Sequence, residues 1–354
     1  MVVRALVFAA GLAGIVWILV SIVRSVVIPR PERVWITVTA FSVSRSIAHW
    51  VGLRMSQRVR HVVLGGFAPA VLISLPLIWS AGLIAGFAAL NWSVGVGSWQ
   101  ESFELSGSSI TTLGFIAAPN TAARVLAVVQ ALLGLGVVAL MISFLPALYG
   151  TFSRREIAVG KLATRAGSPP NPITLLTRLN AIGMLAHVDE EWDQWEDWFV
   201  ELGETHTSFP ALVYFRSANP DHSWVTSAET ALDAAAIVNC LGLEPTKGET
   251  DLMLRSGSLA LRSIADFYRI EPEVGPDQLD SLSVSRADFD QFIDVIVSAG
   301  VMEAPVPDDV WETFAGWRVN YDRSVTGLRD LVGDLPNYWG SDEDMDDMVV
   351  LPSG

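Results

Sequence analysis

Two charge-free runs with a short polar stretch between them constrain this fold more than any other feature of the sequence. Val62–Leu90 and Val125–Ser153 contain no Asp, Glu, Lys or Arg. Each run exceeds the ~20 residues that an α-helix needs to cross the hydrocarbon core of a bilayer. Ser102–Phe115, which lies between them, is too short and too rich in Ser and Thr to cross. Non-helical backbone at membrane depth needs surrounding protein or water, so the pattern predicts two spans joined by a re-entrant loop.

The end of this polar stretch carries a recognisable pattern. Ser106–Phe115, SGSSITTLGF, resembles the pore helix and selectivity filter of potassium channels, whose usual pattern is T-x-G-Y/F-G-D. Pro119–Thr121 matches the P-x-T that follows such filters, and Arg124 matches an Arg that opens the inner helix. Gly134 falls where that family often has a gating glycine. The resemblance covers roughly Trp99–Glu156.

The resemblance implies which residues would act on an ion. Backbone carbonyls of the filter would replace the water around a cation, and the pore helix would support them. The third span adds hinge candidates, although Gly and Pro are also frequent in membrane helices for packing alone. The candidates are Thr112, Leu113, Gly114 and Phe115 in the filter, Ser106, Ser108 and Thr111 in the pore helix, and Gly134, Gly136 and Pro146 as gating hinges.

The chain departs from this family directly after Phe115. Where the family has Gly-Asp and two more residues before the Pro, this chain has only Ile116-Ala117-Ala118. Glycine permits the positive φ angles that aim filter carbonyls inward, and a β-branched Ile tolerates them poorly. The inner ion sites therefore carry over from the family and the outermost does not. We expect a cation-selective pore with only a modest preference for potassium.

Charge is divided unevenly along the chain. Residues 1–149 carry nine Arg against three Glu, whereas residues 150–354 carry 14 Lys and Arg against 35 Asp and Glu. This strongly acidic second part excludes nucleic acid as a partner on charge alone. Cys240 is the single cysteine, which excludes an intrachain disulfide and fits a reducing compartment.

The basic residues also predict an orientation. Ala5–Val23 is a further charge-free run and predicts the first span. A cleaved signal peptide is the alternative, but the run is long for one and no small-x-small site lies between the end of the run and Pro29. Arg24–Arg60 carries seven Arg, whereas Asn91–Ala123 carries no Lys or Arg. The positive-inside rule then predicts a multi-pass plasma membrane protein with its N-terminus outside and its C-terminal part in the cytoplasm.

These patterns predict an all-α membrane protein with three transmembrane helices, a re-entrant pore helix and filter loop, and an α-helical cytosolic domain. Val34–Val59 is either an amphipathic helix on the inner leaflet or a plain connector. The predicted divisions are an N-terminal span and basic connector (1–61), the pore unit (62–156), a linker (157–172), the cytosolic domain (173–340) and a disordered acidic tail (341–354).

Helical spacing of apolar residues dominates the cytosolic part. Two helix starts are predicted from capping boxes, Thr226 with Glu229 and Ser285 with Asp288. Ala211–Phe215 is either a strand or a buried helix. The predicted helices are Ile173–Ala186, Glu190–Glu204, Val225–Leu241, Thr250–Tyr268, Ser285–Ala299 and Asp308–Leu331.

No motif in the cytosolic part indicates an enzyme or a cofactor. The sequence contains no G-x-S-x-G, no P-loop and no dinucleotide-binding glycine pattern after a strand. An acidic group with histidines is the one candidate for a divalent metal, and its spacing is not diagnostic. A solvated acidic cluster is the simpler interpretation, and we expect no metal there. The group is His187, Asp189, Glu190, Glu191, Glu204 and His206.

The sequence thus favours a homotetrameric channel for potassium or another monovalent cation, embedded in membrane lipid, with no enzymatic activity and no cofactor. Each chain supplies one filter strand, and pores of this kind need four around an axis. The alternative from another class is a non-conducting membrane scaffold or sensor that keeps a degenerate pore loop.

Overall fold

A computed structural model describes residues 1–28, 57–243, 247–270, 282–302, 306 and 309–334. The chain divides into two compact units, Met1–Gly150 and Thr151–Gly354. Every regular element within the described residues is helical. The predicted acidic tail 341–354 lies outside the described residues, and so does the predicted amphipathic helix 34–59 apart from its last three residues.

The first unit is built from long apolar helices. Three stretches are long and apolar enough to cross a membrane, Val2–Val26, Gly65–Ser93 and Thr121–Ala166. The prediction of three helices with the length and composition of membrane spans is confirmed. The helices are α1 (Val2–Ile22, followed by a π-helical segment Val23–Val27), α2 (Gln57–Ser93), α3 (Trp99–Ile110) and α4 (Thr121–Ala166), which ends in the second unit.

Small residues let α1 and α2 lie close together. A Cβ built on Gly11 of α1 would stand 2.7 Å from the carbonyl oxygen of Gly86 on α2. One built on Gly82 would stand 2.4 Å from the Ile18 side chain. Glycines at such contacts allow two backbones to approach, which is how helices associate where no hydrophobic force drives them together.

The second unit surrounds one buried helix. Of the 18 residues of α7 (Trp224–Leu241), all but Asn239 and Cys240 are buried. A helix that is buried on nearly all sides must be covered by neighbouring elements on those sides. The other helices of this unit are α5 (Pro172–Ala181), α6 (Val188–Ser208), α8 (Lys247–Phe267), α9 (Arg286–Ser298), α10 (Val310–Arg318) and α11 (Asp322–Val332), with 3₁₀ turns at Leu185–His187 and Pro210–Tyr214.

Two details of these helices differ from the sequence predictions. The predicted helix over 308–331 is two helices, because the Asn320 side chain donates to the carbonyls of Gly316 and Trp317 and closes α10. The predicted capping box at Thr226 is wrong. Ser223 caps α7 instead, and Glu229 is buried and bound to arginines.

Other expectations are met or refined. The capping box of Ser285 with Asp288 is confirmed, and the run Ala211–Phe215 lies mostly in a 3₁₀ turn rather than a strand. The stretch 157–172, which the sequence predicts as a linker, is helical to Ala166. Leu162 of this stretch is buried in the hydrophobic core of the second unit.

Candidate functional site

The short helix α3 has a firmly fixed start. Ser98 and Glu101 form a capping box, in which the Glu101 N–H donates to Ser98 Oγ at 3.2 Å and the Ser98 N–H donates to the Glu101 carboxylate at 2.7 Å. Trp92 and Trp99, on either side of the turn that precedes α3, stack with ring centroids 5.0 Å apart. The capping satisfies backbone donors that would otherwise be unpaired at the helix start.

Ser106 ties α3 to both long helices. Its hydroxyl lies 2.9 Å from the Ile84 carbonyl oxygen on α2 and 2.8 Å from the amide oxygen of Gln130 on α4. A hydroxyl has one hydrogen, so it can donate to only one of these atoms. With the Gln130 amide turned so that Nε2 faces the hydroxyl, both contacts become hydrogen bonds. Ser106 and Gln130 are both buried. A hydrogen bond between buried groups is electrostatically stronger than the same bond in water.

Ser108 holds the loop that follows α3. Its carbonyl oxygen accepts from the Gly114 N–H at 3.2 Å, and its hydroxyl accepts from the Ile116 N–H at 3.4 Å. Ser108 itself is buried. One pore-helix candidate from the sequence therefore contacts the loop at two points, and it bends the chain back along the end of α3.

Two residues of this loop adopt left-handed backbone angles. Gly114 has φ +67° and Thr112 has φ +58°. Glycine takes such an angle without cost, but a β-branched residue pays on the order of 1–3 kcal/mol. Ile116 is not among the described residues with positive φ. The loop thus contains one position, Gly114, whose conformation favours glycine, and one strained threonine, Thr112. Its isoleucine, Ile116, has ordinary backbone geometry.

The four filter candidates are exposed in the single chain. Leu113 is 70% and Phe115 66% exposed, and Thr112 and Gly114 are exposed as well. Thr111 is the last of the pore-helix candidates, and it caps the end of α3 with its hydroxyl on the Gly107 carbonyl at 2.6 Å. Exposed large apolar side chains beside exposed backbone form a surface that no part of the chain covers within the described residues.

The loop returns to α4 through an anchored segment. The Asn120 carboxamide accepts from the Ala123 N–H at 2.9 Å and donates to the Val94 carbonyl at 3.2 Å. The half-buried Ile116 packs against a small cluster that includes Leu105 of α3. Side-chain packing, rather than the glycine that the related pattern would have, therefore secures this part of the loop.

The three hinge candidates have different surroundings. A Cβ built on Gly134 would stand 2.0 Å from the carbonyl oxygen of Ile110, the last residue of α3, so only glycine fits there without a shift. A Cβ on Gly136 would meet nothing within 4 Å. Pro146 lies inside α4, which continues through it. Gly134 therefore has a packing role at the end of α3.

Reasoning from the sequence missed Gln130. A single amide in the charge-free run Val125–Ser153 was the available signal, since a buried polar group in such a run needs a partner. Ser106, Ser108, Gly114 and Gly134 are brought to one end of α3. Gly136 and Pro146 lie further along α4.

The second unit contains a buried ionic cluster around Arg318. Its guanidinium donates to Asp322 at 2.8 Å and to Glu229 at 2.8 Å, and it also binds Asp233. Arg329 pairs with the other oxygen of Glu229. Two arginines face three carboxylates in this cluster. Burial, together with the charge of Glu229, raises the pKa of Asp233 to about 6 against the opposing effect of Arg318.

Arg155 and His206 form a second buried pair. His206 Nδ1 lies 3.0 Å from the Leu202 carbonyl oxygen, which can only accept, so Nδ1 carries the hydrogen. His206 Nε2 then accepts from Arg155 at 3.1 Å, while Arg155 also donates to the Phe215 carbonyl at 2.5 Å. Burial, and then the charge of Arg155, lowers the pKa of His206 well below its ordinary value.

These contacts divide the acidic group that was considered for a metal. Glu191 binds Arg165 and His206 binds Arg155. In the part of the chain that the structure describes, no three His, Cys, Asp or Glu side chains are placed to hold a metal ion.

Comparison of the whole chain with protein-family models, with curated proteins and with solved structures found no match.

Proposed function

We propose that the protein is a cation channel in which copies of the loop after α3 line a shared pore. The observation that carries this proposal is the loop Thr112–Phe115. It joins two helices of span length through the short helix α3, it is exposed in the single chain, and Ser108 holds it in a defined conformation. Polar backbone at membrane depth requires protein neighbours or water. Further copies of the chain around a hydrated path meet that requirement.

The chemistry of the loop suits a monovalent cation. Carbonyl oxygens of Thr112, Leu113 and Gly114 would replace the ion's water, with potassium the preferred ion and only modest selection against sodium. The C-terminal end of α3 leads into this loop, and the negative end of a helix dipole favours a cation nearby. A homotetramer is the assembly that places four such strands around one axis.

The same proposal assigns an orientation. The loop would lie near the outer face, with Trp92 and Trp99 in the aromatic belt of that interface. Arg154, Arg155, Lys161 and Arg165 follow the charge-free run of α4, so the second unit would be cytosolic. That unit would then modulate opening, with potassium or another monovalent cation and membrane lipid as the partners of the whole protein.

A non-conducting scaffold or sensor is the alternative, and Ile116 favours it. The side chain of Ile116 packs against the Leu105 cluster and its backbone has no left-handed φ, so the outer part of the loop has no glycine-type turn. In this alternative, the loop keeps its shape for assembly alone.

Cation flux into vesicles that contain the purified chain separates the two. We expect potassium uptake that is lost in Gly114→Ala, because a Cβ resists the φ of +67° at that position. Gly107→Ala is the matched control, since a Cβ at Gly107 meets nothing within 4 Å and its backbone is helical. Equal flux from Gly114→Ala and the native chain, or no flux from either, would contradict the channel proposal.

Two further measurements test the assembly and the ion. Native mass spectrometry of the detergent-purified chain should show four copies, and a stable monomer or dimer would count against the shared pore. Reversal potentials in mixed potassium and sodium solutions should show a weak preference for potassium. Strong selectivity would mean that Ile116 disturbs the filter less than its packing indicates.

A further inference from the structure

Helices α6 and α8 of the second unit lie side by side and run in the same direction. The Ser256 hydroxyl of α8 donates to the Glu196 carboxylate of α6 at 3.3 Å. Further along, a Cβ on Gly203 of α6 would stand 3.3 Å from Ala260 of α8. Residue numbers rise together in these contacts, so the helices are parallel, and the small residues keep them close.

The solvent side of this helix pair carries an apolar strip. Val200 of α6 is 54% exposed, and Leu252 and Leu259 of α8 are 53% and 52% exposed. Helical geometry places Val200 on the solvent side of the α6 edge that meets α8, and it places both leucines, which are seven residues apart, on the solvent side of α8 next to the line of Ala260. The three side chains therefore project to solvent on the same side of the helix pair.

Charges of opposite sign flank this strip. Asp197 and Glu204 are exposed on the outer side of α6, and Arg255 and Arg262 are exposed on the outer side of α8. In the register set by the Gly203–Ala260 contact, Asp197 lies within one residue of the level of Arg255, and Glu204 lies within one residue of the level of Arg262. Two acids of α8, Asp251 and Asp266, lie beyond the ends of this row.

We propose that this α6–α8 face binds the α6–α8 face of a second copy of the chain, about a twofold axis parallel to the helices. Such a rotation places α6 of one copy opposite α8 of the other, so the acidic side of each copy faces the basic side of its partner. Every residue keeps its height along the helix axis. Asp197 then faces Arg255 of the second copy, Glu204 faces Arg262, and Val200 packs against Leu259. The apolar strips of the two copies cover each other.

Charge complementarity favours a second copy of the chain over other partners for the α6–α8 face. A uniformly acidic or basic partner would be repelled by one side of the face. A twofold axis that crosses the helices would place acid opposite acid. Of the two axes, only the one along the helices places both Asp197 and Glu204 opposite arginines, and it leaves the exposed Asp193 and Asp251 at one end of the row. This pairing requires no conduction through the first unit, so its test uses contacts between chains and not flux.

The first experiment is thiol crosslinking of the full-length chain in detergent. Leu259→Cys should form a covalent pair of chains with a short thiol-reactive linker, because the position lies near the proposed axis. The unmodified chain, in which Cys240 is the single cysteine, is the blank, and burial raises the pKa of its thiol to about 12. Gln291→Cys, exposed on α9, is the control for random encounters. Equal rates for Leu259→Cys and Gln291→Cys would overturn the proposal.

The second experiment reverses the charges in the Leu259→Cys background. Asp197→Arg with Glu204→Arg places like charges opposite each other and should slow crosslinking at least about tenfold. Arg255→Glu with Arg262→Glu should slow it to the same extent. All four changes together restore opposite charges and should restore the rate.

Asp290→Arg with Asp294→Arg on α9 is the matched control for charge reversal and should leave the rate unchanged. Failure of the fourfold variant to recover, while it keeps the helical circular dichroism of the native chain, would overturn the proposal. That result would indicate a partner other than a second copy on this face.

Discussion

The loop after α3 and the buried helix α7 both contain polar groups that need hydrogen-bond or ion-pair partners, but they satisfy those groups differently. Around α7, the carboxylates of Glu229 and Asp233 meet Arg318 and Arg329 of the same chain. In the loop, Ser108 holds two N–H groups, while Leu113 and its neighbours remain exposed. The carboxylates of the α7 cluster find their cations within one chain, whereas the loop residues Thr112–Phe115 remain exposed in the single chain.

This difference shows that buried polar groups with partners in the same chain and exposed polar backbone have to be interpreted differently. A buried ion pair that finds its partners inside the chain reports on folding, since removing one partner leaves an uncompensated charge. A strained, exposed backbone segment between two span-length helices motivates a hypothesis of function, since strain of this kind clusters at functional sites. Variants of the two regions should therefore separate stability from activity.

The largest expected effect comes from breaking the buried cluster. Arg318→Met leaves Glu229 and Asp233 without their shared cation, so we expect a loss of about 3–5 kcal/mol in the unfolding free energy. Denaturant titration followed by tryptophan fluorescence measures this loss. Arg286→Met removes exposed ion pairs and should cost less than about 1 kcal/mol. Adding Glu229→Gln and Asp233→Asn to Arg318→Met should recover part of the loss, and no recovery would mean that packing rather than charge dominates.

The contact between α4 and the end of α3 should come next. Gly134→Ala places a methyl group 2.0 Å from the Ile110 carbonyl oxygen, which forces a backbone shift that costs about 1–3 kcal/mol. Gly136→Ala has open space and should be neutral or slightly stabilising, because Ala is the better helix former. Thermal unfolding in detergent compares the two variants. Similar melting temperatures for both would argue against tight packing at Gly134.

Acidification should act on the second unit through His206. Its pKa is well below the ordinary value in the folded chain, so the unfolded chain takes up the proton first as the pH falls below ~6.5. The expected loss is on the order of 1.4 kcal/mol per pH unit below that point. Unfolding free energies at several pH values should show a weaker dependence in His206→Gln than in the native chain.

Two other groups bear on that measurement. Asp233 has a raised pKa of about 6, so in the window between its ordinary value and about 6 it works in the opposite direction and favours the folded chain as the pH falls. The comparison with His206→Gln removes this contribution because both chains contain Asp233. His187→Gln, which replaces an exposed histidine, is the control for the substitution itself. An unchanged dependence in His206→Gln would exclude His206 as its source.

The smallest effect should be a gain at Thr112. Thr112→Gly relieves the strain of the positive φ and should stabilise the chain by about 1 kcal/mol or less, after the entropy cost of glycine is subtracted. Thr111→Gly, with φ −78°, should instead destabilise it. Thermal unfolding again gives the comparison. A loss of potassium flux together with a gain in stability would mark Thr112 as a residue that trades stability for function.

Several of these features could be predicted and others could not. The lengths of the charge-free runs and the Ser285 capping box are local, so the sequence was sufficient for them. The end of the helix at Asn320 was missed, because it depends on a side chain that bonds back to the turn before it. The local pattern predicts Glu229 as part of a helix cap, and this prediction is wrong. The arginines that bind Glu229 lie about a hundred residues away along the chain, so a local pattern cannot find them.

The sequence by itself determined the helical class, the three helices of span length and the loop segment that the function proposal concerns. Those properties follow from the apolar lengths, the helical periods and short motifs, all of which act within a few turns of the chain. Only the tertiary structure decided that Ser106 contacts Gln130, that Gly134 contacts the end of α3, and that Arg318 pairs with the buried Asp233 of α7. Such contacts depend on which faces of distant helices meet, and that is settled by packing over the whole unit rather than by any single stretch of sequence.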